Sequence, residues 1–589
     1  MKLFPNKGWS ILHFSIFTFL FPLLMSLTLT NWQQLDGSSF LYELMWEIKF
    51  LSFSFLFVIL IFILSQIWHI RSLLFLKRLS LFIFFDLVFI AATCKYVFNI
   101  NMSLDLLLYG FLNISFLLGD GVLLVQRLPI LSLLIFTLFS LFSLSGPRII
   151  KLFFFLQKKS LKGFSLKIGY LKKTNLTLFV LALVINISLN AINSQHKSKI
   201  NLAQLKNDII KIKNKKNTNI SKTVISALPS NSNVVIFLLE SVKTGFIQLK
   251  DLEFFKDAGS VIDINQFYVP TSHSSNSIAS LLCGCYSNDL NFFRSNKFKE
   301  KQSLPKLLNS KGYQSSYIYS GPGEYEGLGK IIANSGMNIV DSKNLLKLMP
   351  TKKFKNYYWG LDDISLFEYS KRFLKKGNRH QKNKPFFVIY GFSNSHSPYY
   401  TPHLTKSQRK KLNYLQRYKE SIKYSISVIN KIIIHFKQQK LYKDTLFIVM
   451  SDHGESFGDQ GYWRHNFSLY NAETQVPFMM SHPSFRKVRY NKRPRVATIL
   501  DVFPTIASLL GFDIPLPVTG QSFNNTNYKL NLRLNSWTNK SNYGFLLDKY
   551  KFNIFAHKKK LLISNLFENN ITKFKLDQQS QSLIDILKN

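Results

Sequence analysis

An Asp-His-Gly triplet at 452–454 interrupts an apolar run and is the feature of the sequence best suited to chemistry. The run before it, 444–450, is short and rich in β-branched and aromatic residues, which predicts a buried parallel strand. Ligands of open α/β sheets bind just beyond the carboxyl ends of such strands, so Asp452 and His453 are predicted metal ligands. A plain turn after the strand is the alternative that this stretch by itself leaves open.

A second apolar run, 233–239, also ends in an acidic residue, Glu240. A carboxylate at a strand end with no local need for charge is a candidate metal ligand, although an acid that caps a helix is the common alternative. In a parallel sheet the ends of the two strands meet at one edge. Glu240 is therefore expected to lie beside Asp452 and His453.

A serine-rich turn precedes a short apolar helix in the segment 269–284, between these two strands. The N-terminus of a helix offers free N–H groups and a partial positive charge, which favour a phosphate or sulfate group beside a hydroxyl nucleophile. Serine-rich turns that only cap a helix are more frequent. This segment alone does not separate the two interpretations.

The length and charge of the chain limit the kind of protein that carries these residues. A chain of 589 residues is too long for one ordinary core, and two or more structural units are expected. Lys and Arg number 75 against 32 Asp and Glu, giving a formal net charge of +43. The basic residues are dispersed and the first third is strongly apolar, so contact with anionic lipid is favoured over nucleic-acid binding.

The three cysteines predict no disulfide framework. Cys94 lies in an apolar run, and Cys283 and Cys285 are judged too close in sequence for an unstrained bridge.

The first third of the chain contains several apolar runs near the ~20 residues that a helix needs to cross a bilayer. These runs are 11–30, 50–68, 79–97, 106–125, 130–144 and 176–192. The first run lacks a clear cleavage site and is not predicted to be a removed signal peptide. Basic residues stay on the cytoplasmic side, so the lysine-rich segment 148–173 is expected inside. For that to hold, the two apolar runs within 106–144 must together make only one net crossing of the membrane. Five net crossings place everything after 192 outside the cytoplasm, whereas six would place it inside.

The boundaries that follow are a transmembrane domain at 1–195, a basic juxtamembrane linker at 196–229, a catalytic domain at 230–530 and a C-terminal extension packing on it at 531–589. Within the linker, the spacing of apolar residues from 202 to 212 suits an amphipathic helix on the membrane surface. A solvated linker is an equal alternative.

The soluble part resembles the sulfatase-like branch of the alkaline phosphatase superfamily. With its apolar first third, the whole chain resembles bacterial membrane phosphoethanolamine and phosphoglycerol transferases, including lipoteichoic acid synthases. The motifs that carry the resemblance are Ser-Ser-Asn-Ser-Ile-Ala-Ser-Leu-Leu-Cys-Gly at 274–284, Ser-His-Ser-Pro at 395–398, Ser-Asp-His-Gly-Glu-Ser-Phe-Gly at 451–458 with a downstream His465, Glu-Thr-Gln-Val-Pro at 473–477, the segment 501–511, and Gly-Gln-Ser-Phe at 520–523.

The resemblance implies an N-terminal α-helical transmembrane domain followed by an α/β sulfatase/alkaline-phosphatase-like domain, with a central, mostly parallel sheet flanked by helices. It also implies a site. Ser274 aligns with the nucleophile and, with Glu240, Asp452 and His453, would hold one divalent metal. Zn²⁺ is preferred for this mixture of ligands, with Mn²⁺ or Mg²⁺ as alternatives.

Four further residues have expected roles near this site. His396 and His465 lie within matched motifs and are expected to be catalytic, protonating the leaving group, activating the acceptor or holding phosphate oxygens. His273 is expected to cap a turn, and Lys243 either to face solvent or to touch phosphate.

Two departures from the family pattern bear on the reaction. Family sulfatases have Pro and Arg where this chain has Asn276 and Ile278, and those residues accompany formylglycine formation. The resemblance therefore implies an unmodified serine and phosphoryl transfer.

The predicted function is a metal-dependent transferase that moves phosphoethanolamine or phosphoglycerol from a phospholipid donor to an envelope lipid, such as lipid A, or to a glycan. The predicted location is the bacterial cytoplasmic (inner) membrane, which the chain crosses several times, with the catalytic domain on the outer, periplasmic side. A sulfatase-like hydrolase of sulfuric esters or phosphodiesters is the first alternative. A non-catalytic, lipid-sensing regulator with the same fold is the second.

Overall fold

The computed structural model describes residues 202–214, 228–252, 261–357, 359–375, 384–487, 496–515, 518–522, 528–538, 541–556, 559–569 and 571–588. The apolar runs predicted to cross a membrane lie outside these residues. Among the helices of the described part, none is both long and apolar enough to span a bilayer.

The strands in chain order are β1 (Asn233–Leu239), β2 (Val261–Asp263), β3 (Gln266–Tyr268), β4 (Gln314–Tyr319), β5 (Asn338–Val340), β6 (Asn356–Tyr357), β7 (Gly360–Leu361), β8 (Phe386–Gly391), β9 (Thr445–Ser451), β10 (Ser456–Phe457), β11 (Trp463–Arg464), β12 (Gln475–Val476), β13 (Phe478–Ser481), β14 (Val496–Thr498), β15 (Asn531–Asn535), β16 (Asn542–Leu547), β17 (Tyr550–Phe555), β18 (Lys560–Asn565) and β19 (Thr572–Lys575).

The α-helices are α1 (Leu202–Asn214), α2 (Ser274–Cys283), α3 (Leu290–Arg294), α4 (Asn296–Lys299), α5 (Leu304–Ser310), α6 (Leu328–Asn334), α7 (Ser342–Leu348), α8 (Ile364–Phe373), α9 (Lys406–Lys411), α10 (Tyr414–Gln438), α11 (Asn471–Thr474), α12 (Val502–Leu509) and α13 (Gln578–Lys588).

A seven-stranded sheet in the order β2-β13-β9-β1-β8-β4-β5 forms the centre of the fold. Strand β13 is antiparallel to both of its neighbours, and the remaining pairs are parallel. The prediction of a mostly parallel central sheet is therefore confirmed. In the register of β1, Leu239 lies opposite Ser451 of β9, and Leu238 lies opposite Gly391 of β8. The chain thus leaves these three neighbouring strands at one edge, where Glu240, Asp452 and the segment after 391 begin.

Helices cover both faces of this sheet, which explains why its central strands are apolar throughout. Every residue of β1 and β9 is buried, as expected for parallel strands packed on two sides. On one face, α2, α5, α6 and α12 contribute to the apolar core. On the other face lies α10, a helix of 25 residues whose buried Ile422, Ile429 and Ile433 recur at the spacing of a single helix face.

A second sheet, β15 to β19, is an antiparallel meander near the C-terminus. Helices α1 and α13 share its apolar cluster, in which Leu205 and Ile209 of α1 lie with Leu583 and Ile584 of α13. A hydrogen bond from Lys206 Nζ to the Oγ atom of Ser582, 2.8 Å long, also joins the two helices. The helix expected in the linker is therefore present. Its apolar side is buried in protein, so the prediction that it lies on a membrane surface is wrong.

Cys283 and Cys285 form a disulfide, so the prediction of no bridge is wrong. Their Cα atoms are 5.2 Å apart, which is within the span that disulfides use. The intervening Gly284 has a left-handed φ of 60° at the end of α2. The chain turns there, and the two side chains meet despite their separation of only two residues.

Candidate active site

Hydrogen bonds join the carboxyl ends of β1 and β9, the two neighbouring central strands after which Glu240 and Asp452 lie. The backbone N–H of Asp452 donates to the carbonyl of Leu239 at 3.1 Å. The backbone N–H of Ser241 donates to Asp452 Oδ1 at 3.0 Å, and Ser241 has a left-handed φ of 58°. The Oγ atom of Ser451 donates to the carbonyl of Leu239 at 2.9 Å. These contacts fix the side chains of Glu240 and Asp452 relative to each other.

Glu240, Asp452 and His453 converge as the sequence predicts, with one ligand atom from each lying within 4.8 Å of the others. All three side chains are buried. His453 Nε2 is 3.3 Å from Glu240 Oε1 and 3.5 Å from Asp452 Oδ2. His453 Nδ1 lies 3.0 Å from the carbonyl oxygen of Gly454, so the proton of the neutral ring belongs on Nδ1. With a metal bound, the Nε2 lone pair would face the cation, an arrangement typical of metal ligands with an outer hydrogen bond.

The electrostatics of this group fit a divalent cation. Burial and the charge on Glu240 raise the pKa of Asp452 to about 7. Although burial opposes the charged form, Asp452 and Glu240 raise the pKa of His453 to about 10. Without a cation, protons on Asp452 and His453 therefore offset the negative charge that the two buried carboxylates bring together. A divalent metal can replace those protons, because metal binding to carboxylates and imidazole releases them.

Ser274 is the first residue of α2 and joins this group through its hydroxyl. Its Oγ atom lies 3.1 Å from Glu240 Oε1 and 3.1 Å from His453 Nε2. The free N–H groups at the start of α2 favour an anionic substrate at the same place. The structure therefore brings Glu240, Asp452 and His453 together beside Ser274, which is the fourth predicted ligand and the predicted nucleophile.

His396 and His465 also lie beside Glu240. One nitrogen from each ring and one Glu240 oxygen lie within 4.8 Å of one another. The rings of His465 and His453 are 4.3 Å apart between centroids. His465 Nδ1 is 3.1 Å from Glu455 Oε2. Burial and the neighbouring histidines hold the pKa of His465 well below its usual value, which favours a neutral ring able to accept a proton.

Lys243 and His273 have protein partners. Lys243 Nζ is 3.1 Å from Asp459 Oδ1, and its side chain is only 17% exposed, so it does not face solvent. His273 precedes α2 as the capping residue but makes no side-chain hydrogen bond to the helix backbone. Its Nε2 instead lies 3.1 Å from Glu326 Oε1.

Glu473 supports the site in a way that the sequence did not reveal. Its buried carboxylate accepts hydrogen bonds from the hydroxyls of Ser272, Ser456 and Ser468 at 3.0, 3.2 and 2.6 Å. Its carbonyl accepts from the N–H of Gly454 at 2.8 Å. Glu473 thus ties the turn before Ser274 to the loop after His453. In the sequence, only its place in the Glu-Thr-Gln-Val-Pro motif indicated that Glu473 belongs near the site.

Asp363 has a similar role on the side of His396. Its buried carboxylate accepts from the hydroxyls of Ser320 and Ser425 at 2.7 and 2.8 Å and from the N–H of Ser393 at 3.0 Å. Burial raises the pKa of Asp363 to about 6. The loop that carries His396 is therefore held at its start. An acidic residue at a helix start does not reveal such a role in the sequence.

Comparison with known proteins shows which proteins the chain is similar to. Residues 232–512, just under half of the chain, match the family model described as Sulfatase. The chain is 30% identical over 176 residues to an endo-4-O-sulfatase of Bacteroides thetaiotaomicron, covering 25% of this chain and 34% of that protein. It is 28% identical over 97 residues to arylsulfatase K of Rattus norvegicus, covering 16% of each. The chain thus spans about a third or less of the length of these curated relatives.

Solved structures with similarity include a protein in the alkaline phosphatase superfamily from Vibrio parahaemolyticus, at 20% identity and a TM-score of 0.49. That match covers 66% of this chain and 94% of the other. Lipoteichoic acid synthase LtaP from Listeria monocytogenes matches at 16% identity and a TM-score of 0.48, covering 65% of this chain and 95% of that one.

Proposed function

Residues 232–512 form a sulfatase-like domain, and on this premise we propose that the chain is a metal-dependent transferase. It moves a phosphoethanolamine or phosphoglycerol group from a phospholipid to an acceptor of the cell envelope, through a covalent intermediate on Ser274. The observation that carries the proposal is the Ser274 hydroxyl, 3.1 Å from both Glu240 Oε1 and His453 Nε2 at the start of a helix. A hydroxyl in that setting is suited to attack phosphorus.

Glu240, Asp452, His453 and Ser274 would hold the metal, and their two carboxylates, imidazole and hydroxyl suit Zn²⁺ best, with Mn²⁺ or Mg²⁺ as alternatives. The bound metal supplies positive charge that favours the deprotonated serine oxygen and offsets charge developing on phosphoryl oxygens.

The chain's own residues carry the two steps. In the first step, Ser274 Oγ, having lost its proton to solvent, bonds to phosphorus while the bond between phosphorus and the diacylglycerol oxygen breaks. That oxygen takes a proton from His396, because the lowered pKa of His465 favours a neutral ring. In the second step, an acceptor hydroxyl bonds to phosphorus, its proton returns to the imidazole, and the Ser274 oxygen leaves. The position of both rings beside Glu240 supports this role.

Two buried residues support an unmodified serine. Ile278 packs in the apolar core, and Asn276 donates through Nδ2 to the carbonyl of Ser287. Neither side chain resembles the Pro and Arg that accompany formylglycine in family sulfatases. This difference favours phosphoryl transfer over sulfate ester hydrolysis.

The setting proposed for this chemistry is the outer face of a bacterial cytoplasmic membrane, with 1–195 as the transmembrane domain and 531–589 as an extension of the catalytic domain. The Cys283–Cys285 disulfide supports that side, because disulfides persist in oxidising compartments. A membrane anchor would also keep the site near phospholipid headgroups.

The second candidate is a hydrolase, which the names of the matched endo-4-O-sulfatase and arylsulfatase K favour. In that case water takes the place of the acceptor hydroxyl, and the substrate is a sulfuric ester or a phosphodiester.

Labelled phosphatidylethanolamine or phosphatidylglycerol, incubated with the full chain in detergent, tests the proposal. We expect diacylglycerol and a labelled protein adduct from the wild type and neither from Ser274→Ala. Release of sulfate from an aryl sulfate, with no adduct from either phospholipid, would replace the transferase with the hydrolase.

A further inference from the structure

Both sequence neighbours of Ser274 are held by one carboxylate, that of Glu326. Glu326 Oε1 lies 3.1 Å from His273 Nε2, and Ser275 Oγ donates to Glu326 Oε2 at 2.8 Å. The side chains of Glu326 and His273 are each only 4% exposed. One oxygen of this carboxylate therefore contacts the residue before Ser274, and the other accepts a hydrogen bond from the residue after it.

The backbone of Glu326 is held in an unusual conformation to make this contact. Its φ and ψ are 49° and 18°, and Gly327 follows with a φ of 67°. A left-handed conformation is uncommon for a residue with a side chain, and such conformations cluster at functional sites. The carboxylate also lies at the N-terminal end of α2, where a negative charge is favoured.

A second element holds His273 from the C-terminal sheet. The ring of Trp537 stacks on the ring of His273 with centroids 4.5 Å apart and an interplanar angle of 6°. Trp537 follows β15, and the backbone N–H of Asn535 in that strand donates to the carbonyl of Pro270 at 2.8 Å. The turn before Ser274 is thus held both by the loop of Glu326 and by the C-terminal sheet.

We infer that Glu326 is a positioning residue for the Ser274 hydroxyl, acting through His273 and Ser275, and that Trp537 completes this support. The inference rests on the proposed role of Ser274 as nucleophile and holds whether the second substrate is an acceptor hydroxyl or water. A nucleophile must be held close to its reactive geometry, and small displacements cost large factors in rate. Helix α2 fixes the C-terminal side of Ser274, and these contacts act on its N-terminal side together with the hydrogen bond from Ser272 to Glu473.

Glu326→Gln is the informative change because it preserves the size of the side chain. The amide nitrogen of glutamine cannot accept a hydrogen bond, so either His273 or Ser275 loses its acceptor. The matched control is Glu324→Gln in the same loop. Glu324 makes a surface ion pair with Lys343 at 2.8 Å and is 46% exposed, so its loss leaves the turn at Ser274 intact.

The rate at which a fluorophosphonate probe labels Ser274 in the full chain measures its positioning without requiring the natural substrate. In that reaction the serine oxygen bonds to phosphorus and fluoride leaves. We expect Glu326→Gln to slow labelling about 10- to 100-fold, the range seen for residues that support ligands of an active site. Glu324→Gln should label at the wild-type rate. Equal rates for Glu326→Gln and the wild type would overturn the inference.

Ser275 supplies a second test that does not depend on the folding of Glu326→Gln. Ser275→Ala removes one of the two hydrogen bonds to Glu326, whereas Ser275→Thr keeps a hydroxyl there. We expect slower labelling in the alanine variant and recovery in the threonine variant, with equal melting temperatures. A wild-type labelling rate in the alanine variant would refute a role for the hydrogen bond.

These outcomes separate the inference from the proposed function. If the probe labels wild-type Ser274 and slows with Glu326→Gln while neither phospholipid gives an adduct, the positioning role stands and the transferase fails. If phospholipid adducts form at equal rates in both proteins, the transferase stands and the positioning role fails.

Discussion

Replacing Lys551 with methionine should destabilise the fold strongly, although the lysine lies in the C-terminal sheet away from the predicted metal ligands. The Lys551 side chain is fully buried, with Nζ 2.9 Å from Glu568 Oε1. Its Nζ atom also donates to Asn471 Oδ1 at 2.7 Å and to Thr474 Oγ1 at 3.3 Å. These two partners flank Glu473, which holds the turn before Ser274. The lysine thus connects the C-terminal sheet to the segment that supports the candidate active site.

The magnitude follows from these contacts. Methionine has a similar length but no ammonium, so Glu568, which is only 12% exposed, loses its cation. Breaking one side of a buried ion pair costs roughly 3–5 kcal/mol. Burial lowers the pKa of Lys551, which means that burying the ammonium already costs the wild type some free energy of folding. The methionine variant does not bear that cost, so part of the lost stability is recovered. A net loss of about 2–4 kcal/mol follows, or roughly 4–8 °C in Tm for a large domain.

Thermal unfolding of the purified full chain measures this loss, with Lys549→Met as the control. Lys549 is an exposed lysine two positions away, and its replacement should change the free energy of unfolding by less than about 0.5 kcal/mol. The double variant Lys551→Met, Glu568→Gln should recover about 1–2 kcal/mol, because it removes the uncompensated carboxylate. A Tm for Lys551→Met equal to that of the control, or strictly additive effects in the double variant, would refute this account.

Three further predictions concern the metal, the pH dependence of stability and the topology. Glu240→Gln and Asp452→Asn should each lower the bound metal per chain, measured by elemental analysis, because each removes a charged ligand; full metal content in both would argue against the site. Burial raises the pKa of Glu473 from 4.5 to about 7, so its contribution to stability is present below pH 4.5 and is lost as the pH rises through 7. The loss is about 3 kcal/mol. In denaturant unfolding between pH 4.5 and 7, the free energy of unfolding should therefore fall less steeply with pH for Glu473→Gln than for the wild type. An equal slope in the two proteins would contradict this prediction. Reporter fusions at 158 and 222 should fall on opposite sides of the membrane, and a same-side result would rule out five crossings.

Local patterns in the sequence predicted two buried strands that end in candidate metal ligands, whereas the mostly parallel central sheet and the full ligand set came from the family resemblance. The runs 233–239 and 444–450 are apolar because both faces of β1 and β9 are covered, and each is followed by a carboxylate. Parallel strands end at one edge, so the convergence of Glu240 with Asp452 followed from the strand prediction. Ser274 depended more on its resemblance to a family motif, because serine at a helix start is common.

Other features required the tertiary structure, since they join segments that no local pattern relates. Glu326 and Trp537 reach His273 from positions 53 and 264 residues further along the chain. The helix at 202–214 has an amphipathic pattern that suits either a membrane or a protein surface, and the C-terminal sheet decides between them. The disulfide depended on the left-handed turn at Gly284.

The sequence by itself thus determined which buried strands end in candidate metal ligands, because burial and strand direction leave a periodic, local signature. The tertiary structure alone decided how the turn before Ser274 is supported. Buried carboxylates such as Glu326 and Glu473 accept hydrogen bonds from donors in distant segments. The amino-acid sequence does not show whether a charged residue is solvated or buried. Only the packing of those distant segments around each carboxylate distinguishes the two cases.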